Sequence, residues 1–179
     1  MKNTVKKIVI TALCMALCYI LPFITGQVPQ INSIFSPMHI PILLCGILCG
    51  SGYALVAGAF SPIFRSLMLT MPPMFPTAVS MAFELAAYGL FAGFTYKTLR
   101  NKTKMKDIPA IYLSLIISMI LGRIVWGIVT ATIMGIQGNT YTFGAFFTTA
   151  FIQGFPGMIC HLIIVPLLVV ALKKAKIIR

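Results

Sequence analysis

Four ionisable side chains interrupt long apolar segments of the chain, where such groups are costly. They are His39, Arg65, Glu84 and Arg123. Charged groups within a bilayer are rare, and they pair with one another or mark the path of a ligand, an ion or a proton. A guanidinium can bind a carboxylate through two parallel hydrogen bonds, whereas a buried acid can exchange a proton. These four residues therefore predict a binding or transport site inside the membrane.

The composition is that of an integral membrane protein. Of the 179 residues, 59% are hydrophobic and 9% are charged, whereas a typical soluble domain has about 25% charged residues. Apolar runs of about 20 residues recur, which is long enough to cross a hydrocarbon core of about 30 Å. We therefore predict an all-α, polytopic membrane protein that forms a single domain over residues 1–179 and has no soluble nucleotide-binding or catalytic domain.

Six transmembrane helices account for the apolar runs. We predict them at Ile8–Ile24, Pro37–Gly50, Tyr53–Met71, Thr77–Tyr96, Ile108–Gly135 and Phe146–Leu172. With an even number of spans, the basic residues at both termini and between the fourth and fifth spans share one side of the membrane. The positive-inside rule makes that side the cytoplasm, so both termini are predicted to be cytoplasmic.

The net charge and the cysteines fit this topology. The charge of +12 comes from 14 Lys and Arg against 2 acids, which in a soluble protein would indicate nucleic-acid binding. Here most cations lie at the ends of apolar runs, so no nucleic-acid partner is predicted. The 5 cysteines lie inside apolar runs without an adjacent His or acid, and we expect buried small side chains in place of metal ligands or disulfides.

The candidate site residues concentrate in the outer half of the predicted bundle. Some are ionisable groups within spans, others share a helical stripe with one of those groups, and two are amides of outer loops. In chain order they are Asn32, His39, Arg65, Glu84, Tyr88, Arg123, Trp126, Asn139, Gln153 and His161. Such one-sided polarity predicts a pocket that is open to the outside.

The charges within the spans favour an anionic ligand. Each Arg at depth costs roughly 2.5–3.5 kcal/mol on insertion scales, and the single Glu84 cannot neutralise both Arg65 and Arg123. A monoanion would remove the remaining positive charge through a bidentate guanidinium contact. Two simpler readings stay open: that one arginine merely pairs with Glu84, and that His161 is a hydrogen-bonded core histidine.

Several short motifs occur together along the chain. They are Ala12 and Ala16 on the first helix, the run Ser36–Pro41 followed by Gly46 and Gly50, and Met81–Ala86 before Tyr88 and Gly89. With its size and six spans, the chain resembles the substrate-binding S components of energy-coupling factor (ECF) vitamin transporters over nearly its whole length. Within that family it is most similar to the pantothenate-type members.

The resemblance implies a subunit of an importer in a prokaryotic plasma membrane, with no catalytic residue, metal or cofactor of its own. A small anionic vitamin, with pantothenate favoured, would be captured from outside under a lid at residues 25–36. Niacin-, folate-, riboflavin- and pyridoxine-like substrates remain open. Ala12 and Ala16 would dock onto a transmembrane T component carrying two cytoplasmic ATPases. ATP hydrolysis would belong to those partners, since the chain has no Gly-x-x-x-x-Gly-Lys-Ser/Thr loop.

The alternative function is a self-sufficient secondary transporter in which Glu84 exchanges a proton. No internal repeat is evident in the sequence, which weighs against a transporter built from inverted repeats. An intramembrane zinc enzyme is disfavoured because His39 and His161 fall on separate spans. The chain is therefore predicted not to be an enzyme.

Overall fold

The structure is a computed structural model that describes residues 2–24, 36–138 and 142–175. These residues form seven α-helices and two short π-helical turns. They are α1 (Lys2–Ile24), α2 (His39–Cys49), α3 (Ser51–Leu69), a first π-turn (Met74–Ala78), α4 (Val79–Lys102), α5 (Asp107–Ile136), α6 (Phe143–Phe147), a second π-turn (Thr148–Gln153) and α7 (Phe155–Lys174). The predicted all-α, polytopic fold class is confirmed.

Five helices are long and apolar enough to cross a membrane: α1, α3, α4 with the first π-turn, α5 and α7. Helix α2 has 11 residues, and at 1.5 Å per residue it rises only about 16 Å, well short of a hydrocarbon core of about 30 Å. The predicted second span is thus a short helix that other helices enclose. The count of six spans and the cytoplasmic termini remain predictions.

Helix α4 lies at the centre of the bundle. It packs against α2, α3 and α5, while α1 packs against α2 and α3, and α7 packs against α2 and α5. The largest apolar cluster joins α2, α4, α5 and α7 through side chains such as Leu43, Tyr88, Leu115 and Val165. A polar side chain on the inner face of α4 is therefore surrounded by protein on several sides.

Glycines allow the central helices to approach closely. A Cβ at Gly58 would overlap the backbone of α4, and a Cβ at Gly89 would overlap the backbone of Ala54. Gly46 of α2 faces the carbonyl of Gly89, as expected for small residues between membrane helices. Gly50 belongs to the same sequence motif as Gly46 but has a different role. It ends α2 with a φ of 101°, a conformation that favours glycine.

Four of the five cysteines line the contact between α1 and its neighbours. Cys14, Cys18, Cys45 and Cys49 are buried, as predicted, whereas Cys160 is only partly buried, and all are free thiols. Together with Thr11 and Pro22, the two cysteines of α1 form its buried stripe. The opposite side of this helix is exposed and apolar.

Contacts bring the described parts of the basic segments to one end of the bundle. The Lys7 carbonyl accepts from the Cys49 thiol at 3.6 Å, and Gly93 of α4 packs against the start of α3 at the same level. One turn further along α4, the Tyr96 hydroxyl accepts from Lys173 Nζ at 3.0 Å. The N-terminal, central and C-terminal basic segments are therefore neighbours, as the positive-inside pattern requires.

The predicted sixth span, Phe146–Leu172, is divided in the structure. Helix α6 and the second π-turn precede α7, which begins at Phe155 with a proline in its first turn. Pro156 has no N–H to continue the regular ladder, and a wider turn before it accommodates that loss. A continuous apolar run in the sequence therefore does not produce one straight helix here.

We expect Gly58→Ala to destabilise the detergent-solubilised protein by about 1–3 kcal/mol, because the new Cβ would meet the α4 backbone and force the helices apart. Gly52→Ala on the same helix is the matched control, since a Cβ there meets nothing within 4 Å and alanine favours helix. Melting temperatures in detergent measure both effects. Equal melting temperatures for the two variants would contradict the proposed close packing.

Candidate functional site

The site is built around one buried carboxylate on the central helix. Glu84 Oε1 of α4 lies 3.2 Å from Arg123 Nη1 of α5 and 3.6 Å from His39 Nε2 of α2. All three side chains are buried, with relative exposures of 2% for Glu84, 8% for Arg123 and 2% for His39. Three helices therefore meet at a single oxygen atom inside the bundle.

Tyr88 joins this group one turn along α4 from the carboxylate. It is buried, and its ring centroid lies 5.0 Å from that of His39. Its ring lies over Gly122, where any side chain would overlap it. The predicted stripe containing Glu84 and Tyr88 thus faces the interior of the bundle.

His161 of α7 completes the cluster from the other side of α2. Its ring stacks on that of His39, with 5.7 Å between centroids and 20° between planes. The Ser36 carbonyl accepts from His161 Nε2 at 3.3 Å and from His39 Nδ1 at 3.1 Å. Sequence reasoning placed Ser36 in the lid but not among the ligand-binding residues, because a backbone carbonyl that accepts from two distant imidazoles leaves no signature in residue type.

Two buried polar atoms of α5 add to the site. Within the part of the chain that the structure describes, Arg123 Nε and Thr130 Oγ1 have no hydrogen-bond partner. Trp126 lies between them in sequence, half-buried, and stacks on Phe146 with ring centroids 6.4 Å apart. Buried polar groups are normally hydrogen-bonded, so these atoms call for an explanation such as a bound molecule. The seven-residue spacing from Arg123 was a signal that could have added Thr130 to the prediction.

Arg65 is not joined to this cluster. Its Nη1 donates to the Tyr19 carbonyl at 2.9 Å, and its guanidinium lies 5.5 Å from the Phe23 ring. Among the described residues, the ion-pair partners of Glu84 are Arg123 and His39. The simpler alternative, in which one arginine pairs with Glu84, therefore describes Arg123. The prediction that Arg65 contacts a ligand remains a prediction.

The remaining predicted site residues cannot be placed against this cluster. Asn32 and Asn139 lie outside the described residues, as do the side chain of Gln153 and all of the predicted lid except Ser36. Within the described ranges, no three His, Cys, Asp or Glu side chains come together as metal ligands. The described site is thus a buried ionic cluster of Glu84, Arg123 and His39. The rings of Tyr88 and His161 lie beside it.

The comparison with protein families decides the class of the chain. A family model described as the substrate-specific component of the ECF transporter matches residues 6–169. The chain belongs to this family. No curated protein and no solved structure matches it. As an ECF substrate-specific component, the chain is a substrate-binding transporter subunit and not an enzyme, and it is a multi-pass plasma-membrane protein. Family membership also implies association with the ECF T component and ATPase subunits.

A double-mutant cycle tests the central contact of this ECF component. We expect Arg123→Met to cost about 3–5 kcal/mol of stability, because it leaves Glu84 buried without its guanidinium partner. Combining Arg123→Met with Glu84→Gln should cost less than the sum of the two single variants. Unfolding in detergent measures all three variants.

The control for this cycle is Arg100→Met. Arg100 pairs with Asp107 at the exposed end of the bundle, where an ion pair contributes at most about 1 kcal/mol. Strict additivity between the Arg123 and Glu84 substitutions would show that the two side chains do not interact.

Proposed function

We propose that the chain captures a small vitamin-like monoanion, with pantothenate favoured, at the cluster around Glu84 and delivers it to an ATP-driven partner. One observation carries the proposal: Glu84, Arg123 and His39 are buried together with incomplete hydrogen bonding. Burying an ion pair is costly unless additional hydrogen bonds satisfy its remaining atoms. A polar ligand would supply the missing hydrogen bonds.

The atoms left without partners define the chemistry of that ligand. Within the described residues, Glu84 Oε1 lacks a hydrogen bond and can accept one, whereas Arg123 Nε and Thr130 Oγ1 can donate. A molecule with both a carboxylate and hydroxyl groups would complement this set, since its carboxylate accepts from Arg123 and its hydroxyls donate to Glu84. Pantothenate has both groups, and Trp126 offers an aromatic surface beside them.

The other predicted residues have secondary roles in the proposal. Asn32, Asn139 and Gln153 would add amide hydrogen bonds to the ligand from the outer side. Arg65 holds the outer end of α1 through the Tyr19 carbonyl, just before residues 25–35. We propose that Arg65 contributes to ligand entry from that position or contacts the ligand directly.

Calorimetry on the purified protein tests the ligand class. We expect pantothenate to bind, and Arg123→Met to weaken binding by well over tenfold, because losing a partner of a buried charge pair costs about 2–5 kcal/mol. Arg100→Met removes the same functional group at the opposite end of the bundle and should leave the affinity unchanged. Arg65→Met measured beside them shows whether the second guanidinium contributes.

The proposal fails if only cations such as thiamin bind, or if Arg123→Met binds pantothenate as tightly as the unmodified protein. Binding of another vitamin anion, with the same loss in Arg123→Met, would retain the site and replace pantothenate as its ligand. Native mass spectrometry of a molecule that copurifies with the protein distinguishes these outcomes directly.

Helix α1 carries the proposed docking surface for the partner module. Ala12 and Ala16 lie on its exposed side, where small side chains permit close approach of another helix. A groove of about 430 Å³ adjoins Ala16 between α1 and α3, and Tyr19, Phe64 and Met68 line part of it. We propose that the T component docks here, and that two cytoplasmic ATPases bound to the T component hydrolyse ATP. The chain needs no cofactor for this role.

We expect Ala12→Trp to preserve ligand binding and to abolish uptake in cells that supply the T component and ATPases, since the indole would hold the two helices apart. Ile163→Trp is the control, because Ile163 is 60% exposed on α7, away from α1. Retained uptake by Ala12→Trp would contradict the docking assignment. Uptake by the chain alone in liposomes, driven by a pH gradient, would instead support the proton-coupled alternative based on Glu84.

A further inference from the structure

We infer that Thr130 binds the end of the ligand that lies farthest from Arg123, so that the two side chains together select an elongated monoanion with an uncharged polar group at its far end. This inference rests on the function proposed above and adds two properties to its ligand. They are a minimum length and the chemistry of the far end, which the charge of the Glu84 cluster does not specify.

Thr130 differs from the other buried hydroxyls of the bundle. Its side chain is 5% exposed, and within the described residues its Oγ1 atom has no hydrogen-bond partner. The other buried Ser and Thr side chains that the structure describes each donate to a backbone carbonyl. They are Thr11, Ser61, Ser66, Ser80, Ser114 and Ser118. A buried hydroxyl without a partner is costly, so the Thr130 hydroxyl requires a group that this part of the chain does not supply.

Helix α5 itself offers partners of a kind that Thr130 does not use. On this helix the hydroxyls of Ser114 and Ser118 donate to the carbonyls three residues earlier. The exposed Thr132 donates to the Ile128 carbonyl at 2.8 Å. Such bonds to the preceding turn are common for Ser and Thr within a helix. The hydroxyl of Thr130 therefore remains able to donate to a bound molecule and to accept from it.

Thr130 and Arg123 lie on the same buried side of α5. Thr130 follows Arg123 after about two helical turns, which places it about 10 Å further along the helix axis. Gly127 between them is also buried, whereas Ile124 and Ile128 are 42% and 62% exposed. Arg123 Nε likewise lacks a hydrogen-bond partner in the described part of the chain. Two unsatisfied donors thus lie on one face of the helix, about two turns apart.

An aromatic pair lies beside the interval between the two donors. The Phe146 ring of α6 packs against Gly127, where a Cβ would overlap it, and the Trp126 ring stacks on Phe146 with centroids 6.4 Å apart. A molecule that reaches both Arg123 and Thr130 must pass these rings. Aromatic rings bury apolar surface favourably, so the middle of such a molecule should present apolar groups to them.

Pantothenate has the length and the groups that this arrangement requires. An extended chain gains about 1.2 Å per bond, so about 9–10 Å separate its carboxylate carbon from its terminal hydroxyl. With the carboxylate bound at Arg123, that hydroxyl reaches the level of Thr130, and the two methyl groups beside it can pack on the aromatic pair. The inner hydroxyl remains for Glu84. Pantoate, which lacks the β-alanine part, spans only about 5 Å and cannot reach both ends.

Calorimetry with two closely related ligands tests the contact at Thr130. The ligands are pantothenate and its deoxy analogue, in which hydrogen replaces the terminal hydroxyl. We expect Thr130→Val to weaken pantothenate binding about fivefold to thirtyfold, the usual loss for one buried hydrogen bond, and to leave binding of the deoxy analogue unchanged. Thr132→Val is the matched control, because it removes the same group from the exposed side of the same helix and should change neither affinity.

Pantoate tests the length requirement. We expect it to bind the unmodified protein at least about tenfold more weakly than pantothenate, and Thr130→Val to cause no further loss. Pantoate binding as tight as that of pantothenate would overturn the inference, since a ligand too short to reach Thr130 would then satisfy the site. An equal loss for pantothenate and the deoxy analogue in Thr130→Val would also overturn it, because Thr130 would then bind another part of the ligand.

The stability of the ligand-free protein distinguishes a ligand contact from a structural role. Valine has nearly the shape of threonine but no hydroxyl, so Thr130→Val removes an unsatisfied group and should leave the melting temperature in detergent unchanged or higher. A melting temperature below that of Thr132→Val would show that the Thr130 hydroxyl has a partner within the protein. That result would refute the inference without any ligand measurement.

These results separate the inference from the proposed function. If a vitamin anion binds through Arg123 and Thr130→Val binds it as tightly as the unmodified protein, the proposed function stands and the inference is refuted. The same holds if the ligand is a compact anion such as nicotinate. If no vitamin anion binds, the proposed function fails, and the inference about its ligand fails with it.

Discussion

The contact of Arg123 and His39 with one oxygen of Glu84 is the constraint around which the bundle is arranged. A carboxylate at this depth cannot be left without partners, since an unpaired buried charge is strongly destabilising. Its partners come from α2 and α5, so both helices must lie against α4 at the level of Glu84. The closeness of α2 to α4 depends in turn on Gly46 and Gly93, because a Cβ on either glycine would overlap the backbone of the other helix.

The same constraint accounts for the short second helix. Helix α2 begins at His39, next to the carboxylate, and Ser36 lies three residues before it. Because the Ser36 carbonyl accepts from both imidazoles, the backbone just before α2 is bound to the charge cluster. The helix needs no full membrane length, since neighbouring helices enclose it.

The sequence was sufficient for the fold class and for most of the cluster, and the reason is physical. Ionisable groups within apolar runs face the interior of a bundle and pair with one another. Convergence could therefore be predicted for Glu84, Arg123, His39 and His161. Partner choice could not be predicted, because Arg65 had a backbone carbonyl of α1 available that no pattern reveals. The break before Pro156 was not predicted, since apolar composition alone does not fix where a helix stops.

The two acids of the chain show how depth changes the consequence of one arrangement. Asp107, like Glu84, contacts two basic side chains, Arg100 and Lys173. Asp107 is 37% exposed, however, whereas Glu84 is 2% exposed. Solvent can reach the side chain of Asp107, and ion pairs at such exposed positions contribute little to stability. The Glu84 side chain is shielded from solvent, so its Oε1 atom remains available to accept a hydrogen bond from a ligand. Depth in the bilayer, and not the pairing of charges, is therefore the reason why we propose the Glu84 end of the bundle as the ligand site.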